Sequence, residues 1–424
     1  MAAVIPRRPG LVSATVCVAL SVTSPAAHTA DAADSPSGSS NIAVHRWTTD
    51  AAWRNGDRAG VAVRDGAIRI ARPVGSRTYR DPYGDGRTRH YDVARWTSPW
   101  VPPGFGLDEL IASWNATTPP GTWLEVQVRG RLGSGRTGSW DVLGRWADTD
   151  RTFHRTSAGA QPDDFSSVNV DTLRTDGRHR YASWQLRVTL LRLVGTARTP
   201  TVTSLGAVAS RLPDRDDVAT SRTGVHRRIA LDVPRYSQMI HKGEYPKWDG
   251  GGEAWCSPTS TSMVLAYWRT GPSPKQYAWV DDSYAQPWID YAARHTFDYR
   301  YDGTGNWPFN TAYAGTFGLD AYVTRLRSLR QAEGYLRAGI PLVASIAFGQ
   351  GELDGTPIGS SAGHLLVIRG FTADGDVLVN DPAAQRASGV RRTYARGQFE
   401  DAWIPTTGGV AYVIRPPGTP LPSR

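Results

Sequence analysis

The chain has 424 residues, enough for two or three domains, and its 40% hydrophobic and 10% aromatic content packs cores and excludes disorder throughout. No apolar run reaches the roughly 18 residues of a membrane helix, and two cysteines, Cys17 and Cys256, support neither a disulfide scaffold nor a cysteine zinc site. The net charge of +9 comes from arginines spread along the chain, with lysine only at Lys242, Lys247 and Lys275; without a basic cluster, no nucleic-acid partner is expected.

Residues 1–33 read as an export signal. Arg7 and Arg8 precede the apolar stretch Leu11 to Val22, and Ala30-Asp31-Ala32 fits a signal-peptidase site. Cys17 follows Val16, not the small residue that lipid attachment requires, so no lipid anchor is expected. Cleavage would leave a secreted, non-inserted protein with Cys256 as its one thiol and therefore no internal disulfide.

After a polar linker, residues 41–210 read as short strands separated by Gly, Pro, Asp and Ser. Asp65-Gly66 between Val61–Val63 and Ala67–Ile70 is a hairpin signal. Residues 123–129 alternate Trp, Glu, Gln and Arg with Leu124, Val126 and Val128, and residues 184–193 alternate similarly. This pattern predicts an all-β, sandwich-like domain. Nine of the sixteen tryptophans lie here. Packing into the core is favoured for them over a sugar-stacking platform, though a cell-wall polymer remains a candidate partner.

Residues 211–228 are charged and aperiodic and read as a linker; residues 229–415 then read as an α+β domain. Cys256 precedes Pro258 and the helical spacing of Val264, Tyr267 and Trp268, which Gly271-Pro272 ends. A cysteine at a helix N-terminus is electrostatically favoured as thiolate, the nucleophile of acyl transfer. His364 opens the apolar run Leu365 to Ile368. A turn at Ala373-Asp374-Gly375-Asp376 returns the chain along Val377 to Asn380, so that Asn380-Asp381 faces His364 across a hairpin and Asp381 can orient the imidazole. Gln238, upstream, is a candidate oxyanion donor. His241 and His295 read as exposed and as weaker candidates for the base. Further helices are expected at Pro287–His295 and Pro308–Phe317, and a third starting at the Ser328/Gln331 capping box; Leu342–Phe348 reads as a buried strand and 349–363 as a flexible cleft loop.

The order Gln, helix-opening Cys, strand-opening His and Asp-Pro resembles the papain-like C39 peptidase family, in particular its secreted C39-like members. The motifs carrying the resemblance are VPRYSQ, AWCSPTSTSMVLAYW, GHLLVIRGF and VLVNDPA, all within 229–415. It implies a papain-like α+β cysteine peptidase that cleaves peptide or protein substrates without metal or other cofactor. Cys256 would be the nucleophile, His364 the acid–base, Asp381 its orienter and Gln238 the oxyanion donor. Two departures stand out: Ser257 replaces the glycine common after the nucleophile, weakening the backbone part of the oxyanion hole, and the long Gln238–Cys256 interval predicts a mobile lip. A peptidoglycan-directed amidase or transferase with the same chemistry, and a non-catalytic wall-binding protein, are the alternatives.

Overall fold

The structure is a computed structural model describing residues 41–214 and 218–422; the segment read as an export signal lies outside these. All ladders in the three sheets are antiparallel, as short connections between successive strands permit. The first sheet runs in the order Ser166–Asn169, Thr172–Thr175, Glu109–Thr117, Thr201–Arg211, Ala67–Ile70, Val61–Arg64, and Asn41–Trp47 also pairs with Thr201–Arg211. The second is built on Thr88–Thr97, Tyr181–Leu193 and Thr122–Leu132. Asp65 and Gly66 take positive φ of 55° and 72° in the expected hairpin.

Seven of the nine N-terminal tryptophans are buried, and most of them meet edge to face between the sheets: Trp47, Trp96 and Trp184 form one such group, with Trp53 edge-on to Trp96. Trp100 and Trp140 are the exceptions. They stay half-buried on an outer face, covered by the guanidinium groups of Arg129, Arg131 and Arg187. The strand Thr122–Leu132 alternates only in its second half. Its first half is buried on both faces, because Trp123 stacks on Phe153 beneath a second small core.

The third sheet has the order Asp320–Arg325, Val410–Arg415, Leu342–Phe348, Ser361–Phe371, Val377–Asn380, Arg391–Tyr394. The helices fall close to their expected positions, at Cys256–Tyr267, Pro287–Thr296, Trp307–Gly315 and Leu329–Arg337. At the last of these the Ser328 hydroxyl accepts from Gln331 N–H, but the Gln331 side chain returns to Arg327 N–H rather than to Ser328.

The two halves meet along a polar seam over a shared apolar core that runs from Trp47 to Ile414. The Asn115 amide donates to Ala321 O at 2.8 Å and accepts from Ala321 N–H at 3.1 Å, so one side chain supplies the pairing a neighbouring strand would give. Arg155, completely buried, donates to the carbonyls of Ala147 and Arg294, and Arg294 forms a two-pronged contact with Asp150. Beyond the strand Thr201–Arg211, the described part of the connecting segment has no regular structure, but side chains hold it: Ser221 to Glu400, and Thr223 and Gly224 to Glu333. Among the described residues no helix is long and apolar enough to cross a membrane.

Candidate active site

Cys256 is the first residue of the helix Cys256–Tyr267, half-buried and unpaired in any disulfide. The helix is enclosed from Ser257 to Leu265, and Ser260 Oγ donates to Leu365 O at 3.0 Å, fixing the helix start against the strand that carries His364. Such enclosure explains the run Ser-Pro-Thr-Ser-Thr-Ser: small side chains let the helix approach its neighbours on every side, and the hydroxyls of Ser257, Ser260 and Thr261 find partners among them.

The ladder between Ser361–Phe371 and Val377–Asn380 ends at the pair Val367–Asn380. Asp381 therefore lies one residue beyond it and His364 three, a diagonal relation that long side chains span. His364 Nε2 lies 2.8 Å from Asp381 Oδ1, both groups buried. Nε2 is thus committed to the carboxylate, and Nδ1 is the ring nitrogen left for the Cys256 sulfur, which lies close enough to raise the pKa of this imidazole.

Burial works to neutralise His364, but the Asp381 charge and hydrogen bond, with the Cys256 sulfur, outweigh it and push its pKa up to about 10. For Asp381, burial likewise opposes the charge. The imidazolium, the Tyr394 hydroxyl and the Ala383 N–H prevail and hold the carboxyl below its usual range. The two groups form a charged pair across the neutral range.

Tyr394 was not foreseen from the sequence. It lies on the next strand, paired with Val377, and donates to Asp381 Oδ2 at 2.7 Å. Asn380, adjacent to the carboxylate, donates to Val233 O and Pro234 O, while Gln238 N–H donates to Pro382 O at 2.9 Å. These bonds pin the VPRYSQ segment to the Asp-Pro turn. The Gln238 amide is buried, and its Nε2 donates to Glu253 O at 2.6 Å, which leaves one N–H for another acceptor. The structure therefore seats Gln238 between the Asp381 turn and the residues leading into Cys256.

Ser257 points away from this chemistry: its hydroxyl is buried and lies 2.9 Å from the Tyr412 hydroxyl. A glycine there would leave the Tyr412 hydroxyl without this partner, so the departure is a packing feature. Tyr301 is 49% exposed, and burial of the remainder, then the carboxylates of Asp249 and Asp171, raise its phenol. Asp171, contributed by the N-terminal half, accepts from Trp307 N–H at the start of the helix Trp307–Gly315.

Several expectations need correction. The interval between Gln238 and Cys256 is not a free lip: Trp248 is buried, Trp255 donates to its carbonyl at 2.7 Å, and Thr304 binds Asp249. A Gly-rich string shows turns but not the side chains from elsewhere that hold them. The loop 349–363 is likewise anchored, through buried Leu353, the Asp354–Gln398 pair and Arg392 on Gly355 O. His241 and His295 are buried, not exposed. His295 stacks on Tyr291 at 3.7 Å, and burial drives its pKa down to about 3. Two pockets of about 310 and 300 Å³ lie elsewhere, one beside Trp288 and Arg269 and one between Asp150 and Trp279, and neither is lined by Cys256 or His364.

Residues 230–411 match the family model described as the Peptidase_C39 like family, and residues 43–210 match the peptidase C39 N-terminal domain. No curated protein matches the chain.

Proposed function

We propose that this chain, whose C-terminal half is a C39-like domain of a peptidase family, is a secreted cysteine peptidase working through Cys256, His364 and Asp381. The observation that carries the reading is the buried pair of His364 Nε2 and Asp381 Oδ1, 2.8 Å apart, with a helix-opening cysteine close enough to act on the same imidazole. In this reaction the Cys256 sulfur attacks the amide carbon while His364 carries the proton. The tetrahedral oxyanion is held by the free N–H of Gln238 and the Cys256 backbone N–H. His364 then protonates the leaving amine through Nδ1, and the carbonyl re-forms as a thioester. The neutral imidazole next deprotonates a water that attacks the thioester, and the sulfur departs with the acid product released. Asp381 keeps Nε2 protonated throughout, so that Nδ1 always faces the sulfur.

In this reading residues 1–33 direct export, 41–210 form the accessory domain, 211–228 connect, and 229–415 are the catalytic domain. A second reading, an amidase acting on cell-wall polymer, is favoured by the outward Trp100 and Trp140 with Arg129, Arg131 and Arg187 beside them, a cationic aromatic strip suited to an anionic polymer. Incubation of the purified protein and of Cys256→Ala with casein and with purified cell wall separates the readings. Casein cleavage lost in Cys256→Ala supports the peptidase. Wall cleavage alone supports the second reading, and casein cleavage that survives Cys256→Ala overturns the first.

A further inference from the structure

Behind the catalytic segment lies a second cluster of donors that the reaction does not use. His241 ends the short turn that begins at Gln238, and its side chain is fully enclosed. Its Nδ1 is 2.7 Å from Glu244 Oε2 and 3.4 Å from Asp290 Oδ2. Asp290 comes from a different element, the first turn of the helix Pro287–Thr296, and is also fully enclosed. Among the described residues, neither carboxylate oxygen of Asp290 has a hydrogen-bond partner. One donor atom from each of the three residues falls within 4.8 Å of the others.

That arrangement is poorly compensated as it stands. A protonated imidazole between two carboxylates leaves one net negative charge in a buried place, and two Asp290 oxygens without donors add their own desolvation cost. A divalent cation held by a neutral imidazole and two carboxylates brings the sum to zero and gives both oxygens the electrophile they face. The spacing agrees. Ligands about 2.1 Å from a tetrahedral ion stand roughly 3.4 Å apart; the His241–Asp290 contact is at 3.4 Å already, and the His241–Glu244 contact opens slightly from 2.7 Å as its shared proton is released.

We propose that His241, Glu244 and Asp290 bind one first-row divalent cation of the Zn²⁺ or Mn²⁺ kind. One imidazole with two carboxylates suits these ions; Ca²⁺ and Mg²⁺ prefer all-oxygen sets with more ligands. The role is structural. The ion ties the turn that starts at Gln238 to the helix Pro287–Thr296, and Trp255, the residue before Cys256, packs its ring 6.0 Å from His241. The proposal is independent of the peptidase reading.

The test uses the full chain in the Cys17→Ala, Cys256→Ala background, so that no thiol binds metal, after dialysis against a chelator. Zn²⁺ or Mn²⁺ should bind at one equivalent per chain by elemental analysis and raise the melting temperature by several degrees, with Ca²⁺ and Mg²⁺ doing neither. Asp290→Asn and Glu244→Gln, added separately, should each abolish the metal-dependent rise; Glu244 lies nearer the surface, so its variant reports even where Asp290→Asn does not fold. No binding by the chelator-treated parent overturns the site, as does an equal metal-dependent rise in Glu244→Gln.

Discussion

Replacing Asp381 by Asn changes one charge and little shape, and the structure fixes what should follow. The carbonyl oxygen of the introduced amide can still accept from His364 Nε2 and from Ala383 N–H, in place of Asp381 Oδ1. The tautomer that presents Nδ1 to Cys256 is therefore kept. What is lost is charge: a charge-assisted hydrogen bond worth about 1.5–3 kcal/mol becomes a neutral one worth about 0.5–1.5 kcal/mol. The difference of about 1–1.5 kcal/mol predicts a roughly five- to tenfold slower turnover at neutral pH. Asp381→Ala should be far worse. It leaves the buried imidazole, the Tyr394 hydroxyl and the Ala383 N–H all without an acceptor, and should slow turnover by about 10² or more. Peptide hydrolysis from pH 5 to 10 measures both variants. The alkaline limit should also move to lower pH in Asp381→Asn, because the charge that raises His364 is gone. Equal rates for the Asn and Ala variants, or an alkaline limit unmoved in both, would refute the orienting role.

The remaining predictions concern the surroundings of the pair. Tyr394→Phe should lower stability by about 1.5–3 kcal/mol and shift the acid limit of activity upward, since Asp381 loses a donor that holds its carboxyl down; denaturant melts and a pH profile read both. Ser257→Gly should lower the melting temperature without raising turnover, because the hydroxyl serves Tyr412 and not the oxyanion. Arg155→Ala should cost about 3–5 kcal/mol in denaturant melts by removing a fully buried guanidinium from the seam between the halves. The His364–Asp381 contribution to stability should be full between about pH 4 and 6.5. It should fade as pH rises toward about 10, where His364 deprotonates, and as pH falls far enough to protonate Asp381; melting wild type and Asp381→Asn across pH checks it.

The parts of this arrangement legible in the sequence are those fixed by local chemistry. Pro258 behind Cys256 with the apolar spacing after it predicts a helix start, and Asp374-Gly375 between two apolar runs predicts the turn that brings Asp381 back toward His364. What stayed hidden depends on tertiary neighbours. Tyr394 reaches Asp381 only because its strand pairs with Val377–Asn380, and nothing in its own surroundings marks it. Asp290 meets His241 across two elements remote in sequence. The anchoring of the Gly-rich stretches has the same origin: their glycines signal turns, while single buried side chains such as Trp248 and Leu353 decide that those turns are held.

The measurement that bears most directly on the central claim is the rate of Cys256 alkylation by iodoacetamide from pH 5 to 10, in the wild type and in His364→Ala. The imidazolium beside the sulfur predicts that wild-type Cys256 is alkylated fast at neutral pH. In His364→Ala the rate at neutral pH should fall well below that of the wild type. Identical rates in the two proteins at every pH would contradict the assignment of Cys256 and His364 as a working pair.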